Sequence, residues 1–182
     1  MFNRFNQHRE RRKKGEFRSK LEGEISQALQ QQGLDIDYEC DMTILNLEEA
    51  QQRKWQYVIH GTRFTFVNDI LKYGLMTGGR DNRANKRVHI HFAVRKPHLG
   101  RECSGVRHGS DVAIYVDLYH AIRSGIPFYL SINNVVLTKG DNGVLSKAFF
   151  TKIVHLVTER TLWENGEWTR DGIELCSSRF GM

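Results

Sequence analysis

The apolar positions of the chain follow a helical period at first and a strand period after about residue 55. Upstream, Leu21, Ile25, Ala28 and Leu29 recur at helical spacing before a stop at Gly33, and a second short helix is predicted over Leu45 to Lys54. Trp55 to His60 then concentrates aromatic and β-branched residues and reads as a strand that runs out at Gly61-Thr62. Phe66, Val67, Ile70 and Leu71 make an apolar helical face closed by Gly74. Strict alternation over Val88 to Ala93 predicts a strand with His89, His91 and Ala93 on one side. Further strands are predicted over Asp111 to Asp117, Phe128 to Asn133, Val135 to Thr138 and Phe149 to Val157, with a short helix from Leu118 to Ser124 that ends at Gly125. The strands ending at Asn133 and starting at Val135 pair across the turn at Asn133-Asn134, and Trp163 and Trp168 straddle a hairpin turn at Asn165-Gly166. Helices first, then strands with short helices between them, describe an α+β fold with an antiparallel-rich sheet.

Charge divides the 182-residue chain unevenly. Residues 1–20 carry eight Lys and Arg against Glu10 and Glu16, which equals the whole net charge of +6. The remaining 162 residues hold 19 charges of each sign, so the basic excess belongs to an arm and not to the globular part. We therefore expect an arm at 1–20 that is too polar to bury anything, a short helical segment at 21–54, a main lobe at 55–157 and a C-terminal extension at 158–182. No window approaches the run of about 18 apolar residues that a membrane span needs, and no apolar stretch follows the N-terminal charges as in a secretory signal. Cys40, Cys103 and Cys176 are odd in number and form no CxxC pair, which argues against a disulfide framework or a cysteine zinc site. A location inside the cell, in cytoplasm or nucleus, is expected, with no membrane and no obligate protein partner.

Three features could carry chemistry. His60-Gly61-Thr62 lies at a strand end, where Gly lets a ligand near the backbone and His and Thr can each donate or accept a hydrogen bond. A strand-terminal His before a turn is, however, commonly plain structure. His89 and His91 point the same way, as metal ligands often do, but no Cys or acidic residue is spaced to complete a zinc site, so no metal is expected. Between residues 80 and 108, Arg80, Arg83, Lys86, Arg87, Arg95, Lys96, Arg101 and Arg107 face only Asp81 and Glu102. A solvated loop is the ordinary meaning of such a run, yet guanidinium groups suit bidentate phosphate binding and the run brackets the histidine strand. The residues alone lead to a basic, histidine-lined pocket for a phosphorylated molecule.

The order of the segments is more specific than any one of them. Tyr57-Val-Ile-His60-Gly61-Thr62, Ile70-Leu-Lys-Tyr-Gly74-Leu75, Arg87-Val-His-Ile-His91-Phe, Gly105-Val-Arg107-His108-Gly109, Asp111-Val-Ala-Ile-Tyr-Val-Asp117, Gly125-Ile-Pro-Phe128-Tyr129-Leu-Ser131 and Asn133-Asn-Val135-Val-Leu137-Thr138 follow one another over about residues 55 to 155. This run resembles the RNA 2′-phosphotransferase family of the KptA/Tpt type. The resemblance implies an ADP-ribosyltransferase-like, antiparallel-rich split sheet that binds NAD as co-substrate. It implies NAD contacts at His60, Gly61, Thr62, His91, Ser131, Asn133 and Val135, a catalytic role for Arg107, and RNA or phosphate contacts at Arg80, Arg83, Arg87 and Arg107.

The reaction so implied has two steps on an RNA bearing an internal 2′-phosphate, tRNA being one such substrate. The phosphate attacks the ribose anomeric carbon of NAD and expels nicotinamide. A ribose hydroxyl then attacks the phosphorus, leaving 2′-hydroxyl RNA and ADP-ribose cyclic phosphate. Because the nucleophile is already an anion, no strong general base is required, which fits an aliphatic Val135 where many ADP-ribosyltransferases place Glu. Arg107 would clamp the phosphate and stabilise charge in the second step. In the family an N-terminal lobe carries an Arg-His pair on a helix and a further Arg shortly before the HGT strand. Here Ser19 to Gln30 contains no such pair and only Arg53 precedes His60, so the lobe is expected to be truncated or rebuilt. Two other readings stay open: an ADP-ribosyltransferase acting on another phosphate end or on a protein, and a non-catalytic module that binds RNA or nucleotide through the same fold.

Overall fold

The structure, a computed structural model, describes residues 42–78, 88–96, 106 and 109–180. The basic arm, the helix expected from Leu21, and Arg80, Arg83, Arg87 and Arg107 lie outside the described residues.

Strand β1 (Met42–Ile44) leads into helix α1 (Leu47–Gln52), whose first turn is capped by the Asn46 side chain accepting from the Glu49 N–H. Strand β2 (Tyr57–Thr62), a 3-10 turn (Phe64–Phe66), helix α2 (Val67–Tyr73), β3 (Leu75–Met76) and β4 (Ile90–Phe92) follow. Gly74 ends α2 at φ 86°, a conformation that L side chains rarely adopt, which accounts for the stop read there from sequence. The chain continues as β5 (Val112–Asp117), α3 (Leu118–Arg123), β6 (Phe128–Ser131), β7 (Val136–Thr138), β8 (Val144–Leu145) and β9 (Phe150–His155). It ends with β10 (Thr161–Glu164), β11 (Glu167–Trp168) and helix α4 (Arg170–Phe180).

The strands form a four-stranded sheet in the order β1-β6-β7-β4, a five-stranded sheet in the order β11-β10-β9-β5-β2, and the small pair β3-β8. All ladders between these named strands are antiparallel. Among the described residues the two larger sheets are joined where Ile59 of β2 and Ala93, just past β4, exchange backbone hydrogen bonds of 2.9 and 2.8 Å. This is the α+β, antiparallel-rich split sheet expected from the sequence.

The larger of two hydrophobic clusters draws on both sheets. Val58, Ile114 and Ile153 reach it from the five-stranded sheet, and Ile90, Phe92, Phe128 and Val136 from the four-stranded one. Each such side chain contributes roughly 1.5–3 kcal/mol on leaving water. Thr138 is also buried, and it is satisfied: its hydroxyl donates to the Pro127 carbonyl at 2.6 Å and accepts from the Gly140 N–H. The predicted hairpin at Asn133-Asn134 joins β6 to β7, with Asn134 at φ 56°. The Trp163–Trp168 hairpin forms as read, with those two residues directly paired across Asn165-Gly166. Residues 42–54 and 158–180, drawn from the sequence as segments flanking the lobe, here pack onto it: β1 pairs with β6, α1 packs on α3, and β10 pairs with β9.

Candidate functional site

The junction of the two sheets gathers most of the described candidate residues. β4 is flanked there on both sides. Phe92 pairs with Val136 of β7, and one residue later Ala93 bridges to Ile59, so Val135 and His60 stand beside the same end of β4. The tie between the two histidine segments is direct. His60 Nδ1–H donates to the His91 carbonyl at 3.0 Å, and His91 Nδ1–H donates to the His89 carbonyl at 3.0 Å. A carbonyl can only accept, so Nδ1 carries the proton in both rings, and a neutral ring so held has its lone pair on Nε2.

Burial pushes the His60 imidazole below its ordinary pKa; the bond to His91 opposes this shift and the nearby His91 charge adds to it. His60 is therefore a neutral acceptor at neutral pH. Its ring packs edge-on against Phe92 at 5.8 Å and 63°, which sets it on the core side of β4. By alternation, His91 emerges on the other side of that strand, where Tyr129 and Leu137 lie in its register row. The two rings thus approach the junction from opposite faces and are coupled through backbone.

Gly61 also has a packing reason for being Gly. Its outer edge carries a bridge to Val106, and a Cβ at Gly61 would run into Val106 Cγ1 and stand 3.0 Å from Ser110 Oγ. On that side the space is taken up by the chain itself, and Val106, which precedes Arg107 in sequence, is seated against the HGT strand. Thr62 continues this contact, its carbonyl accepting from the Asp111 N–H at 3.0 Å.

Ser131 and Val135 close the tip of the β6–β7 hairpin on each other. Val135 N–H donates to Ser131 Oγ at 3.1 Å, and Ser131 N–H donates to the Val135 carbonyl at 3.0 Å. Asn133 is exposed at that tip. Arg63 is a cation that the sequence reading passed over, although it directly follows Thr62. It is exposed, with Nη2 3.8 Å from where a Cβ on Gly109 would sit, so its guanidinium lies beside Gly109. Among the described residues no group of three His, Cys, Asp or Glu is arranged to hold a metal ion, and no helix is long and apolar enough to cross a membrane.

The family model described as RNA 2′-phosphotransferase, Tpt1/KptA family, matches residues 3–140. The match thus begins well upstream of the run from residue 55 on which the resemblance was read. A zebrafish (Danio rerio) protein named tRNA 2′-phosphotransferase 1 is 35% identical over 123 residues, covering 65% of this chain and 52% of the relative. The human protein of that name is 34% identical over 109 residues, covering 59% of this chain and 40% of the relative. A Shigella boydii protein named probable RNA 2′-phosphotransferase is 32% identical over 89 residues, covering 49% and 44%. The chain spans about half the length of these relatives or somewhat less.

Proposed function

The chain belongs to the RNA 2′-phosphotransferase, Tpt1/KptA family, and from that membership we propose that it is an NAD-dependent 2′-phosphotransferase acting on RNA inside the cell, with tRNA as the natural class of substrate. The observation that best supports this reading is the pair of linked histidines at the sheet junction, within the matched stretch. NAD would supply an electrophilic ribose carbon and nicotinamide as its leaving group. A neutral His60 suits this use. Its Nε2 lone pair can accept from a ribose hydroxyl, and an uncharged ring adds no positive charge beside a transition state that is cationic at the ribose. The aliphatic side chain of Val135 likewise leaves the site without a carboxylate base, which an anionic phosphate nucleophile does not need.

The donors for phosphate are Arg107 and, beside Gly109, Arg63, with Arg80, Arg83 and Arg87 widening the basic approach. In the first step the RNA 2′-phosphate oxygen bonds to the ribose carbon as the bond to nicotinamide breaks. In the second, a ribose hydroxyl bonds to phosphorus and the RNA 2′-oxygen departs with a proton. The test is incubation with NAD and a short RNA bearing one internal 2′-phosphate. Nicotinamide release that requires this RNA, together with appearance of the 2′-hydroxyl product, is expected, and Arg107→Ala should abolish it. Release at the same rate without RNA overturns the reading, and ADP-ribose left attached to the RNA would make the chain an ADP-ribosyltransferase instead.

A further inference from the structure

The last helix of the chain, beyond the family match at residues 3–140, reaches the HGT element through one carboxylate. Asp111 has four ties. Its N–H donates to the Thr62 carbonyl at 3.0 Å and its own carbonyl accepts from the Leu156 N–H at 2.8 Å. Its Oδ1 accepts from the Phe64 N–H at 2.6 Å, and its Oδ2 faces Arg179 Nη1 at 3.6 Å. Phe64 is itself buried. Trp168 packs edge-on against it at 6.3 Å, and the Arg179 guanidinium lies 5.7 Å from its ring centroid.

Asp111 and Val106 therefore both fasten to the end of the HGT strand. Val106 bridges to Gly61 and Asp111 holds Thr62 and Phe64, and Arg107 follows Val106 in sequence. A short bond from a carboxylate to a backbone N–H is charge-assisted and directional, so it fixes where the chain turns after Thr62. Arg179 faces the other oxygen and covers Phe64, so helix α4 supports the turn from behind. We propose that Asp111 is a positioning residue for the NAD-dependent reaction, holding the HGT turn in place, and that Arg179 of α4 is its partner. Neither residue touches the substrate. This inference rests on the function proposed above and adds to it a dependence on the C-terminal helix.

The test compares the full chain with its Asp111→Ala, Asp111→Asn, Arg179→Ala and Arg179→Lys variants, measuring KM for NAD, KM for the 2′-phosphorylated RNA, kcat and thermal midpoint. Asp111→Ala removes the acceptor for Phe64 N–H, and a misplaced binding element lowers kcat/KM for NAD by up to about 100-fold. The expected change is a rise in KM for NAD, with a smaller rise in KM for the RNA because the held turn also carries Arg63. Asp111→Asn keeps an oxygen for Phe64 N–H and should fall between Asp111→Ala and wild type. Arg179→Ala should raise KM for NAD about two- to fivefold, the size expected of a partly exposed ion pair, and Arg179→Lys should restore part of it. A merely structural role would lower the folded fraction, and with it kcat, while KM for NAD stayed constant. That result in Asp111→Ala and Arg179→Ala overturns the inference while the proposed function stands. If Asp111→Ala does not fold, Asp111→Asn and Arg179→Ala decide the matter alone. A wild-type chain inactive toward the RNA overturns the proposed function and this inference together.

Discussion

At the scale of single residues, the site depends on two positions that allow little change. His60 is neutral in the fold because burial lowers its pKa, whereas in the unfolded chain it titrates near the ordinary value of 6.5. Unfolded chains therefore bind a proton first as pH falls, and stability rises with pH through that range. The contribution is complete above about pH 6.5 and declines below it until the folded-state pKa is passed. Urea midpoints at pH 7.5 and 5.5 should differ in the wild-type chain and differ less in His60→Gln; an equal acid decline in both would assign the effect to another group. Gly61→Ala drives a Cβ into Val106, and overpacking of this kind typically costs about 1–3 kcal/mol. We expect a lower thermal midpoint and a loss of kcat/KM exceeding what the unfolded fraction explains, because Val106 precedes Arg107. His60, Gly61 and His91 were visible in the sequence as a strand-end tripeptide and a period-two strand. Their coupling was not, since a bond from His60 to the His91 carbonyl joins positions 31 residues apart and leaves no mark on local pattern.

At the scale of elements, legibility followed length and alternation. β2, β5 and β9 each run six residues with β-branched or aromatic side chains, and all three were read from the sequence within about two residues. β1 is three residues and β3 and β8 are two each, too short for any period to show; they exist because a neighbouring strand offers its edge. Helix α4 was missed for another reason. Its sequence, Arg-Asp-Gly-Ile-Glu-Leu-Cys-Ser-Ser-Arg-Phe, has a Gly near its start and few apolar residues, and its docking relies on that Gly. A Cβ on Gly172 would meet the Leu162 carbonyl oxygen and stand 2.7 Å from Trp168 Cε3. Gly172→Ala should thus push α4 off β10 despite the higher helix propensity of Ala, with a net loss of about 1–3 kcal/mol in a denaturation experiment. A gain in stability would show that the helix docks otherwise. The β6–β7 hairpin offers a smaller change. Ser131→Ala removes the acceptor for Val135 N–H and should cost about 0.5–1.5 kcal/mol, read as a drop in thermal midpoint.

For the whole molecule, the distribution of charge matters more than its total. Eight cations and two anions in residues 1–20 hold the entire excess of +6, while residues 21–182 are balanced at 19 of each sign. A balanced domain exerts little long-range attraction on a polyanion, since fields from opposite charges cancel beyond a Debye length of about 8–10 Å. The Arg-rich stretch from Arg80 to Arg107 can act only at close range, where individual guanidiniums meet individual phosphates. On the proposed function the two basic regions would therefore act separably on RNA. Binding of a single strand releases counterions, and log K falls against log salt with a slope of about 0.7 per phosphate engaged. Deletion of residues 1–20 removes up to eight engaging cations, so the slope should flatten by as much as about 6 while KM for NAD stays the same. On the proposed function, an arm that only raises the local concentration of RNA leaves kcat at saturating RNA unchanged. Titration of the full and shortened chains against one labelled RNA from 50 to about 200 mM salt measures both slopes. Equal slopes would mean that the close-range arginines alone account for RNA attraction, and a loss of kcat at saturating RNA would place part of the arm at the reacting phosphate.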